Sequence, residues 1–272
     1  LKPPKIVLVL FYEGNDIGNN LQFVRENYKG SEVIKIFNNL KNFNSWLNLQ
    51  FKNSIKEKSN SFWRNLIFTK FILKSIENII IEKSKKSEGF DRIIFPAISL
   101  TEADIGGKAI PLPTHLMAPP LFGVTRFDKI RGFSDESLTV GYYIFERAIK
   151  KIQEFFYSSE IKIIYLPSTL ASYNLSSPTV SFRGNMGDGG IIDTKKLVQR
   201  HFEVCREIQK IGNKNKISFF DTSKYLRDAS LKGYIHGPKD WDHLNESGYK
   251  ALTDSISEFL LYPNKPYQNC TN

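Results

Sequence analysis

A chain of 272 residues with 38 Lys and Arg against 28 Asp and Glu carries a formal net charge of +10, and 41% of its residues are apolar. That apolar share is ordinary for a folded domain with a core, and it excludes disordered and fibrous classes. The lysines are scattered among Asn and Ile instead of lining one stripe, so a solvated basic surface is expected and no nucleic-acid partner.

Taken in chain order, the run Lys5 to Tyr12 is continuously β-branched, leucine-rich and aromatic and stops at Gly14-Asn15. This predicts a central parallel strand covered on both faces, with Glu13 to Asn20 at its carboxyl end, the edge of an open α/β sheet where ligands gather. From about Leu21 to Lys86 the spacing turns helical, through Leu21, Val24, Tyr28, Leu40, Phe43, Trp46 and Leu47. The apolar stretch Phe62 to Ile81 is long enough to cross a bilayer, but Arg64, Lys70, Lys74 and Glu77 interrupt it, so an amphipathic helix is expected and no transmembrane segment. Arg92 to Arg131 carries Gly106-Gly107, Pro111, Pro113 and Pro119-Pro120 and reads as a long loop, with one short strand at Ile93 to Ile98 and an isolated His115 at its surface.

A regular alternation follows: a helix from about Leu138 to Phe156, a strand at Ile161 to Leu166, a helix from about Asp193 to Ile211, a strand at Ile217 to Asp221, and a final helix from about Glu246 to Leu261. Strands separated by helices of this length imply crossovers and a parallel sheet. The fold class expected is therefore α/β, in three layers around a mostly parallel sheet, as a single domain over 1–272 with a helical and loop insertion over 21–135. Cys205 falls in a helix and Cys270 in a polar tail, which gives neither a disulfide framework nor a metal-ligand spacing.

Two short segments carry chemistry. Asp240 and His243 stand three residues apart in a loop after Gly237-Pro238, just ahead of the final helix, and an imidazole held by a carboxylate is what a general base for a serine hydroxyl requires. The alternative is that Asp240 forms a turn and His243 packs or caps. Asn15 follows a buried strand, where its amide can donate to an oxyanion; its alternative is turn formation in Gly14-Asn15-Asp16. A metal site built from His236, Asp240, Asp242 and His243 crowds all its ligands into one loop with none from elsewhere, so neither a metal nor another cofactor is expected.

Together these residues resemble the SGNH (GDSL-type) hydrolase family, in which a Ser, a Gly, an Asn and a His come from four separate blocks. Tyr12-Glu-Gly-Asn-Asp16 is similar to the third block, and Asp240-Trp-Asp-His243 to the fifth; Tyr165 to Tyr173 looks like the strand and loop between them. The resemblance implies a flavodoxin-like SGNH fold. It makes His243 the general base, Asp240 its orienting acid and Asn15 the oxyanion donor, with Gly14 and Asp16 supporting the oxyanion loop. It implies an ester hydrolase or O-acyl transferase acting on a small-molecule or carbohydrate ester, and relatives with the Glu-Gly-Asn-Asp variant often belong to the cell envelope. Glu13 departs from the family, standing where the block usually has Gly. A larger departure is the nucleophile: Ser99, Ser134, Ser168 and Ser177 lie in loops, but none sits in Gly-Asp-Ser, and Gly187-Asp188-Gly189 has no serine. The serine and the block with the second Gly are expected upstream of Leu1, and loss of their strands is expected to expose a hydrophobic sheet edge. The other reading is an SGNH-like protein without a nucleophile that binds glycans or a partner.

Overall fold

The computed structural model describes residues 3–28, 40–56, 101–114, 116–121, 124–126, 129–131, 135–183, 189–267 and 269–271. The chain divides into two compact units, one of Leu1–Asn27 with Ser99–Asn272 and the other of Tyr28–Ile98. The expected strand at 93–98, the apolar run 62–81, His115, Ser99, Ser134 and Gly187-Asp188 lie outside the described residues.

The larger unit is an α/β fold built on a parallel sheet. Its strands are β1 (Ile6–Tyr12), β7 (Glu160–Leu166) and β10 (Ser218–Asp221), ordered β1-β7-β10 with β7 in the middle. The register sets Val9 against Ile163 and Ile163 against Phe219, so one face carries Val9, Ile163, Phe219, Phe11 and Tyr165. That face is covered by α3 (Asp135–Phe155) and α4 (Thr194–Lys214): Phe11 meets Phe145 edge-on, and Gly212 comes close enough that a Cβ there would touch Ile163 and Phe219. Helix α1 (Asp16–Asn27) packs on α3. On the opposite face Ile164 and Phe220 form a cluster with Phe259 of α6 (Glu246–Leu261) and Tyr225 of α5 (Ser223–Ser230). Phe220 and Phe259 stack 4.7 Å apart, an arrangement worth about 1 kcal/mol beyond the area it buries.

The helices begin where the sequence supplies caps. Asp193 accepts a hydrogen bond from the Lys196 N–H at 3.1 Å, and Asn245 accepts one from Gly248 at 3.1 Å. Each such cap contributes about 1 kcal/mol. Gly248 has no substitute, because a Cβ would lie 2.3 Å from the Ile235 carbonyl oxygen.

Two expectations change. The span 92–131 is not simply a loop: β2 (Glu102–Ile105) and β3 (Lys108–Pro111) form an antiparallel hairpin, β4 (Leu116–Met117) pairs with β8 (Thr179–Arg183), and β5 (Val124–Arg126) pairs with β6 (Lys129–Arg131). Gly106 and Gly107 both have positive φ, as a two-residue hairpin turn demands. Strand β8 also pairs with β9 (Gly189–Asp193) in a second sheet whose inner face, Val180 and Phe182, joins Leu170, Tyr173, Leu197 and Ile235 in the main core. The second change concerns cysteine: Cys205 of α4 and Cys270 of the tail form a disulfide across 65 residues, brought together by the path of the tail after α6.

In the smaller unit, α2 (Leu40–Lys56) buries Phe43, Leu47 and Phe51 at a spacing of four, and Tyr28 meets Phe43 and Trp46 edge-on. Among the described residues no helix is long and apolar enough to cross a membrane.

The candidate functional site

The carboxyl end of β1 turns sharply into α1, and two acidic side chains bracket the turn. Asp16 reaches back to accept the Tyr12 N–H at 2.8 Å, while burial pushes its carboxyl up to about 7. Glu13 is fully buried and points the other way. It accepts the Tyr165 hydroxyl at 2.6 Å and the Ser168 N–H at 2.8 Å, and faces Nδ1 of His201 at 2.9 Å. Burial alone would raise the Glu13 carboxyl, but His201 and the two other donors hold it below the ordinary range. Between these brackets Gly14 is buried under the Tyr12 ring, which a Cβ would enter at 2.6 Å. Asn15 is partly exposed there, its carbonyl accepting the Asn19 N–H at 2.8 Å to start α1. Glu13 therefore has a local function: its carboxylate ties the Asn15 turn to β7, to the loop after β7 and to α4.

The second part is the loop 235–245, closed by the Asn245 N–H on the Ile235 carbonyl at 2.9 Å and by the Asn245 amide on the Tyr234 carbonyl at 2.9 Å. Gly237 has φ +70° and lies against the Trp241 ring, followed by a cis bond to Pro238. Asp240 and His243 meet on the outside of this loop. The Asp240 carboxylate lies 2.6 Å from His243 Nδ1, and both side chains are more than half exposed, at 58% and 59%. Although its partial burial acts upward, the His243 hydrogen bond and the Asp242 N–H at 2.9 Å hold the Asp240 carboxyl low. An Nδ1–H committed to a carboxylate leaves Nε2 as the proton acceptor of the ring.

Residues 165–173 join the two parts. Ser168 N–H is held by Glu13 on one side; on the other, the Tyr173 hydroxyl accepts the Ile235 and His236 N–H groups at 3.1 and 3.2 Å. The chain between is a single tight turn, Leu170–Ser172. The Asn15 turn and the loop that carries His243 are thus each tied to the segment that follows β7. The Tyr12 phenol, pushed up in pKa chiefly by burial, also senses the charge of Asp242, which pairs with Arg183 at the end of β8 at 2.6 Å.

The remaining sequence candidates are elsewhere engaged. His236 is buried against Tyr173, Asp242 pairs with Arg183, and the four residues of the metal alternative do not converge on one point. The group among the described residues whose atoms do converge is Cys205, Asp221 and Cys270, but both sulfurs are in the disulfide. Asp221 is occupied by the N–H groups of Ser223 and Cys270 and by the Ser223 hydroxyl. Ser177 accepts the Glu102 N–H, and the Ser168 hydroxyl is buried without a hydrogen-bond partner among the described residues, so neither is paired with His243. The contacts of Glu13, His201, Tyr173 and Arg183 are marked by no sequence motif.

Comparison of the chain with protein-family models, with curated proteins and with solved structures gave no match.

Proposed function

We propose that the chain is the Asn- and His-bearing part of an SGNH (GDSL-type) serine ester hydrolase or O-acyl transferase. The observation that carries this reading is the Asp240–His243 contact of 2.6 Å, in a loop tied, like the Asn15 turn, to residues 165–173. In the proposed reaction a serine hydroxyl attacks the acyl carbonyl, and His243 Nε2 takes its proton. Asp240 stabilises the imidazolium and fixes its tautomer, and the Asn15 amide donates to the oxyanion. Water then releases the acid, or a sugar hydroxyl takes the acyl group.

The serine needs a place to stand, and β1 supports one. Among the described residues β1 pairs with β7 alone, and Ile6 and Leu10 are 40% and 41% exposed. A strand running parallel on that outer edge would end beside Asn15, and we assign the nucleophile to it. Such a site takes a small-molecule or carbohydrate ester. A second reading, a glycan- or partner-binding protein that never turns over, draws on one observation: the hydrogen bond shown for His243 is to Asp240, while the Ser168 hydroxyl is buried without a partner among the described residues.

The test is ester hydrolysis by the protein from its native source, with an aryl acetate as substrate. Asn15→Ala is expected to lower kcat by ~10²–10³ with KM little changed, as loss of one oxyanion donor does. His243→Ala is expected to lower it by roughly 10³ or more. Hydrolysis unaffected by either substitution would refute the assignment, and absence of hydrolysis in the parent would favour the binding protein.

A further inference from the structure

Among the described residues, the β10 edge of the parallel sheet is covered by the chain itself. At the β10 edge the chain returns after α6 and lays its tail along the strand. Tyr267 packs edge-on against Phe220 and Phe259, at 5.1 and 5.4 Å, and its hydroxyl donates to the Glu258 carbonyl. Two residues on, the side-chain amide of Asn269 meets the outward-facing backbone of β10. Its oxygen accepts the Asp221 N–H at 3.0 Å and its nitrogen donates to the Phe219 carbonyl at 3.4 Å.

Those two groups are not an arbitrary pair. In a parallel ladder, a residue opposite position i donates its N–H to the carbonyl of i−1 and accepts the N–H of i+1. With Phe220 as i, the partners are the Phe219 carbonyl and the Asp221 N–H. The Asn269 amide thus supplies the donor and acceptor that the peptide groups of a neighbouring strand would supply. The inward groups confirm the alternation, since Thr222 N–H bonds to the Tyr165 carbonyl of β7 at 3.1 Å.

The next residue fastens this contact. Cys270 has φ +56°, in the left-handed region that an ordinary side chain rarely adopts. It turns the chain so that its N–H reaches the Asp221 carboxylate at 2.9 Å and its sulfur bonds to Cys205 on α4. Beyond it, the Thr271 carbonyl accepts from Arg227 at 3.3 Å, and the same guanidinium reaches the Ala171 carbonyl at 3.5 Å. The tail is therefore connected, through one side chain, to the loop that joins the Asn15 turn and the His243 loop.

We infer that the tail Asn269–Thr271 is a covalently anchored strand surrogate: the Asn269 amide completes the outer ladder of β10 and closes that edge to strand addition, leaving growth of the sheet to β1. An unpaired edge is a template for pairing with another chain, and side-chain and covalent covering is a way to remove it. The β10 geometry carries this independently of the catalytic site.

Amide hydrogen exchange read residue by residue by NMR on the oxidised full chain tests it. In Asn269→Ala, with the disulfide intact, exchange at Asp221 is expected to accelerate at least tenfold while Thr222 changes less than twofold. In the double variant Cys205→Ala with Cys270→Ala, with Asn269 in place, acceleration at Asp221 is expected to exceed that at Thr222 by at least tenfold. Unchanged exchange at Asp221 in Asn269→Ala, or equal acceleration of the two amides in both variants, would overturn the inference, since the tail would then add only global stability.

Discussion

Removing the Cys205–Cys270 disulfide, by reduction or by replacing both cysteines with Ala, is expected to lower the unfolding free energy by about 4 kcal/mol. The bond closes a loop of 65 residues of sequence separation, and a crosslink of that span removes that much conformational freedom from the unfolded chain. Both cysteines are buried, so no gain in solvation offsets the loss. The check is urea unfolding of oxidised and reduced protein, where the midpoint should fall substantially. Coincident curves would show that the bond does not persist in solution. A disulfide of this kind persists in oxidising surroundings.

His236 is expected to make a contribution to stability that acid removes. Its ring is buried against Tyr173, and burial first, then the nearby His243, depress its pKa from 6.5 to about 4, with Asp240 acting in the opposite sense. Above pH 6.5 the ring is neutral in both folded and unfolded chains. As pH falls from 6.5 to about 4 the unfolded chain takes up a proton that the folded one refuses, so stability is lost through that window, up to about 3 kcal/mol. Asp16 works oppositely: its carboxyl, raised from 3.8 to about 7, contributes stability that is complete below about 4 and lost as pH rises through 7. The difference between parent and His236→Phe isolates the histidine. That difference should be flat above pH 7 and should shift by about 3 kcal/mol against the parent between pH 6.5 and 4. A flat difference throughout, or an NMR titration of His236 near 6.5, would contradict the burial argument.

Much of the frame was legible because it is local. Ile161 to Leu166 reads as a buried strand from its unbroken apolar run, and Asp193 and Asn245 mark helix starts by the cap chemistry they perform. Hairpin β2–β3 was missed because Glu102 to Ile105 is short and half polar, with only the Gly106-Gly107 turn to betray it. Strands β8 and β9 were missed for a related reason, since their pairing is a relation between segments and not a property of either. The disulfide was illegible because it depends on where the tail lies after α6. Within the site, Asn15 and the Asp240–His243 pair were legible as motifs. The carboxylate of Glu13 that ties the Asn15 turn down was not, because its partners Tyr165, Ser168 and His201 are 152 to 188 residues away in sequence.

The proposed reaction needs a serine that acts through His243 and is not one of the described serines. Fluorophosphonate labelling of the protein from its native source, followed by mapping of the modified peptide, addresses that directly. One labelled serine is expected, on a segment that pairs with β1 and lies outside residues 1–272, with labelling abolished by His243→Ala. Stoichiometric labelling of a serine within residues 1–272, or labelling that persists in His243→Ala, would contradict it.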